Sequence, residues 1–92
     1  MVTIHKQREH NLTPDVVAAR VEDLMRNADL NVVERKPNEV LAERMGISGT
    51  AKWTDTTIDV EITLPLTFAF FKTRASDMLD RELDKLVGDT PA

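Results

Sequence analysis

Two histidines, His5 and His10, join the carboxylates as the side chains that could serve as an acid, a base or a metal ligand near neutral pH. They stand five apart. On a single strand an odd spacing sends the rings to opposite faces, and a zinc-binding helix pair needs a spacing of four. The competing reading is a surface histidine on an edge strand and another near a helix start. Nucleophiles have no better support. Ser48 lies in Gly46-Ile47-Ser48-Gly49, which lacks the G-x-S-x-G spacing and the strand-to-helix context of a nucleophile turn. The same glycines are too close together for a phosphate cradle, so they read as turn or bulge geometry. The chain has no cysteine, hence no thiolate nucleophile, no thiolate metal site and no disulfide. Glu22, Asp23, Asp77, Asp80 and Asp84 project from solvated helix faces. Glu82 falls near a buried arc, as either a functional buried acid or a stripe-margin residue with its head in water would. No catalytic, cofactor-binding or metal-binding residue is assigned, and no cofactor is expected.

The segment Leu64-Pro65-Leu66-Thr67-Phe68-Ala69-Phe70-Phe71 offers a different kind of chemistry. It holds all three phenylalanines. On a helix, Phe68 and Phe71 fit a core-facing arc, whereas Phe70 projects roughly opposite. An exposed phenylalanine beside Leu66 makes an apolar patch of the kind that marks partner or lipid-like surfaces. Leu66 and Phe70 are therefore the candidate interaction patch. The competing reading is that the stretch is not yet helical, or that Phe70 packs on a neighbouring loop.

Period and punctuation define the elements that must position these residues. Residues 2–9 alternate as a short strand. Thr13-Pro14-Asp15 reads as a helix start, with Thr13 as the N-cap, Pro14 at the first helical position and Asp15 at the positive end of the dipole. Val17, Val21, Leu24 and Ala28 form one buried stripe on a helix over 14–28. Strands follow at 31–35, 40–45 and 50–54, with a turn at Lys36-Pro37-Asn38-Glu39. Residues 56–64 are the clearest strand, with Ile58, Val60, Ile62 and Leu64 on one face and Thr57, Asp59, Glu61 and Thr63 on the other. That alternation predicts a sheet covered on one side only. Lys52 is expected on the wet face, pairing with Asp59 or Glu61. Pro65 cannot continue a central strand. The helical period returns from about Leu66 to Val87, burying Phe68, Phe71, Ala75, Met78, Leu79, Leu83 and Leu86, and Gly88 is expected as the residue that ends the helix. The expected class is α+β: an antiparallel sheet of four or five strands with two helices on one face, in the order β-α-β-β-β(-β)-α. Residues 1–88 form a single domain, and 89–92 have the composition of a flexible tail.

Composition removes further classes of function. The 92 residues carry 12 Lys and Arg against 16 Asp and Glu, a net charge of −4, and 41% are hydrophobic. A mildly acidic chain is a poor binder of the phosphate backbone of nucleic acids, which needs a basic face. The longest apolar runs fall well short of the roughly 18 residues of a membrane span. The opening Met-Val-Thr-Ile-His-Lys lacks the pattern of a secretory signal, so the cytoplasm is the expected compartment.

The order of features resembles the polyhydroxyalkanoic acid system family, small bacterial proteins encoded near genes that make or use storage polyester. The likeness runs through Arg8-Glu9-His10-Asn11-Leu12, Ala18-Ala19-Arg20, Gly46-Ile47-Ser48-Gly49, the strand of alternating valine and isoleucine, and Leu83-Asp84-Lys85-Leu86. The chain departs from the family pattern at Leu64-Pro65-Leu66-Thr67, where a glycine-containing join is expected. The resemblance implies a non-enzymatic, granule-associated or accessory role and transfers no catalytic residue. Three readings stand beside one another: an interaction module whose patch meets a granule surface or granule protein, a small-molecule (acyl or hydroxyacyl) binding protein, and an edge-strand homodimer of unrelated function. A hydrolase or transferase lacks a visible nucleophile and base.

Overall fold

The computed structural model describes residues 1–88, so the expected tail at 89–92 lies outside the described residues. Strand β1 (Val2–Glu9) leads to helix α1 (Pro14–Asn27), then to β2 (Asn31–Lys36), β3 (Glu39–Arg44), β4 (Ile47–Trp53) and β5 (Thr57–Leu64). A 3-10 helix (Leu66–Phe71) runs directly into α2 (Lys72–Gly88). The five strands form one antiparallel sheet in the order β1-β5-β4-β3-β2. The α+β class and the β-α-β-β-β-β-α order thus hold, with the strand number settled at five.

The alternation of β5 builds the core. Ile58, Val60, Ile62 and Leu64 are all buried and stand opposite Arg8, Lys6, Ile4 and Val2 of β1. On the other flank Trp53, Ala51 and Gly49 of β4 continue the same face to Val40 and Ala42 of β3. Both helices cover this face: α1 with Val17, Val21, Leu24 and Met25, α2 with Ala75, Leu79, Leu83 and Leu86. Each of the larger aliphatic side chains contributes about 1.5–3 kcal/mol by leaving water.

Local details depart from expectation in instructive ways. Thr13 sits at the N-cap in extended backbone, but its hydroxyl makes no capping bond. Pro14 and Asp15 carry that helix start instead. Lys52 stands opposite Asp59 in the β4–β5 register, yet its ammonium reaches Glu39 of β3 at 3.8 Å. Gly46 closes a two-residue hairpin: Met45 (φ 53°) and Gly46 (φ 82°) are both left-handed, as a type I′ turn requires. Gly49 has a different reason to lack a side chain. A Cβ there would lie 3.0 Å from Leu30 Cδ1 and 3.3 Å from Met25 Sδ, because the end of α1 packs directly on the sheet. Gly88 is the last residue of α2 and has no positive φ.

Candidate functional site

Pro65 decides the shape of the candidate patch. It cannot donate to the ladder, so β5 stops at Leu64 and the chain turns out of the sheet. The amide of Phe68 then donates to the Pro65 carbonyl at 2.9 Å, and the tight 3-10 turn runs to Phe71. In a 3-10 helix residues three apart eclipse one another, so Phe70 cannot share the side of Phe68. Phe68 packs against the core. Leu66 is 72% exposed and Phe70 81%. Both predicted patch residues therefore lie on the surface of one short element.

Phe71 corrects the expected core arc. It is 38% exposed rather than buried. Three-residue eclipsing would set it on the side of Phe68, yet it is the last residue of the 3-10 helix, where the chain passes into α2, and it lies at the margin of the core. Its ring meets that of Phe70 edge to face, with centroids 6.3 Å apart, and the Arg74 guanidinium lies 5.6 Å over it. The β3–β4 turn borders the patch, since a Cβ on Gly46 would lie 3.6 Å from Pro65 Cγ. Met45, beside it, is 74% exposed. The exposed apolar side chains of the 3-10 helix, Leu66, Phe70 and Phe71, thus stand at the same end of the molecule as the turn that carries Met45.

The other residues with chemical potential go elsewhere. His10 is 5% exposed and fully engaged. Its Nδ1 accepts from the Leu12 amide at 3.1 Å and its Nε2 donates to the Thr54 carbonyl at 2.8 Å. It ties the β1–α1 connection to the β4–β5 turn. His5 lies on the open sheet face, 3.1 Å from Asp59 Oδ1. This pair borders a shallow dish of about 450 Å³ with Glu39, Thr50, Lys52 and Glu61. Ser48 is a half-buried strand residue opposite Thr63. Glu82 is a stripe-margin residue, accepting from Asn27 Nδ2 at 3.3 Å with Lys85 at 3.6 Å. Among the described residues no three His, Asp or Glu side chains gather as a metal would require.

The strongest electrostatic feature is one that local patterning conceals. Lys6 and Arg8 occupy the helix-covered face of β1, where Val2 and Ile4 precede them. Arg8 Nη2 donates to Asp80 at 2.8 Å, Arg8 Nε lies 3.3 Å from Asp84, and Lys6 Nζ lies 3.3 Å from Asp80. The bond from Arg8, and then that from Lys6, holds the Asp80 carboxyl below its ordinary range, and Asp80 in turn raises the Arg8 guanidinium. A second link joins α1 to β2: Arg35 donates to Glu22 at 2.8 Å and lowers its carboxyl. These bonds moor helices to the sheet and leave the apolar end untouched.

Comparison with known proteins adds a family. The model of the family described as "Putative polyhydroxyalkanoic acid system protein" matches residues 4–87. No curated protein matches the chain. Among solved structures the chain is similar to the crystal structure of TTHA0849 from Thermus thermophilus, at 14% identity. That match covers 92% of this chain and 91% of the other with a TM-score of 0.34, a likeness too loose to bear on fold or function.

Proposed function

We propose, from the premise that the chain belongs to the polyhydroxyalkanoic acid system protein family, that it is a non-enzymatic accessory protein of polyester storage in the cytoplasm. It acts by docking its apolar end on the granule surface or on a protein held there. The observation that supports this reading is the exposure of Leu66 and Phe70 on an element that contributes no fully buried residue. Large apolar side chains so placed contribute little to folding, and contiguous exposed apolar surface marks contact sites. A catalytic reading has less support, because His10 is spent on backbone partners and His5 faces solvent beside Asp59.

The test is localisation of a fluorescent fusion in cells accumulating polyester granules, with Phe70→Asp alongside. Fluorescent rings around granules that disappear in the variant are the expected result. Diffuse wild-type fluorescence would defeat direct docking and move the search to soluble partners. Rings that persist in the variant would show that Phe70 is not the contact.

A further inference from the structure

The same end of the molecule carries a charge pattern that narrows what it docks on. α2 begins with Lys72, Thr73 and Arg74, directly after Phe71. Its first turn holds no acidic residue, the reverse of the usual preference at a helix start. Among the described residues neither Lys72 nor Arg74 has a carboxylate within 4 Å, and both are exposed. Arg44, near the β3–β4 turn, is instead engaged by Asp29 at 3.7 Å. The chain as a whole is acidic, with a net charge of −4. Two unpaired cations bordering the exposed apolar side chains therefore oppose the average of the molecule. Met45 adds a further cost, since a non-glycine residue in left-handed backbone is disfavoured and asparagine suits that turn position better.

Resting on the docking reading above, we propose that this end docks on an anionic lipid–water interface. Leu66 and Phe70 enter the apolar layer, Met45 and Phe71 lie at its border, and Lys72 and Arg74 meet the headgroup phosphates. Apolar side chains beside cations are the combination that binds such an interface, and each component is needed. A bare polymer surface or an uncharged protein groove would have no use for the cations.

The test is co-sedimentation of the full chain with phosphatidylcholine vesicles made with and without phosphatidylglycerol, and with bare polyester particles. The expected result is binding to the phosphatidylglycerol vesicles that weakens with salt. The double variant Lys72→Glu, Arg74→Glu should bind these vesicles at least roughly thirtyfold more weakly. Its fold should hold, because acids suit a helix start, and its melting temperature checks this. An equal charge reversal at Lys52 and Arg81, away from this end, should change binding far less. Polyester particles that bind wild type and both variants equally, with no preference for anionic vesicles, would overturn the anionic interface and leave docking intact. Absence of binding to every surface would overturn the anionic interface and direct docking on the granule surface alike, leaving only a protein held there.

Discussion

At the residue scale, His10 and Met45 show two opposite uses of an unusual position. His10 spends both ring nitrogens on backbone partners at 3.1 and 2.8 Å in a nearly sealed site. Alanine there would leave the Leu12 amide and the Thr54 carbonyl without those partners, each unmet group costing about 1–3 kcal/mol. His10→Ala should therefore lower the urea midpoint clearly, whereas His5→Ala, at an exposed pair, should change stability by no more than about 0.5 kcal/mol. Met45 is the reverse case, a residue that the turn does not want. Met45→Asn should stabilise the fold by about 0.5–1 kcal/mol, since asparagine tolerates left-handed backbone, while weakening association at the apolar end. A stability loss in thermal melts would show that Met45 serves the fold instead. The roles of these residues were only partly legible in the sequence. The spacing of the histidines implied that the two rings stand apart, as they do, but the burial of His10 depends on Thr54, which is 44 positions away.

At the element scale, the readable parts were those whose pattern is local. The alternation of β5 and the stripe of α1 each reports its own burial, so the single covered face could be derived from them. The link between β1 and α2 could not. Lys6 and Arg8 look like the polar end of a strand, and only the fold brings Asp80, more than seventy positions on, against them. The exposure of Leu66 and Phe70 was legible because Pro65 announces a break, but that of Phe71 was not, since it sits where the 3-10 helix passes into α2 and no single period runs through both. The β1–α2 link carries a pH prediction with a definite sign. Asp80 has its carboxyl lowered in the folded state, so its contribution is present above the ordinary carboxyl value of about 4 and is lost as pH falls through the folded value. In urea titrations wild type should exceed Asp80→Asn at pH 7, and the gap should close as the pH falls below the carboxylate range. A gap that stays constant would show that the ion pairs do not act through ionisation. The edges of the sheet bear on assembly. β1 carries the inward-facing charges Lys6 and Arg8, and β2 breaks register between Val32 and Glu34. Both features discourage strand addition, so light scattering should return the monomer mass of 10.4 kDa; twice that mass would revive an edge-strand homodimer.

At the scale of the whole molecule, folding and docking occupy different places, and that separation can be measured. The core lies between the sheet and both helices, where Leu79 and Leu83 are completely sealed. The apolar end lies beyond it, on the 3-10 helix and the β3–β4 turn, in a body extending 40 × 26 × 17 Å. A side chain in one region therefore has little reason to matter in the other. Leu83→Ala removes a buried side chain and leaves a cavity, which should cost about 2–5 kcal/mol of stability. At temperatures where the variant remains folded, its affinity for the docking surface should match wild type. Phe70→Asp should do the converse, keeping stability within about 0.5 kcal/mol and losing association. The two effects should combine additively in the double variant, because Leu83 is sealed in the core while Phe70 is exposed on the 3-10 helix. Urea melts paired with co-sedimentation on the same four proteins read both quantities. If Leu83→Ala also lowers affinity while still folded, the apolar end is held in shape by the core and the separation fails. If Phe70→Asp destabilises the fold by as much as Leu83→Ala, Phe70 is a structural residue and its exposure has no functional meaning.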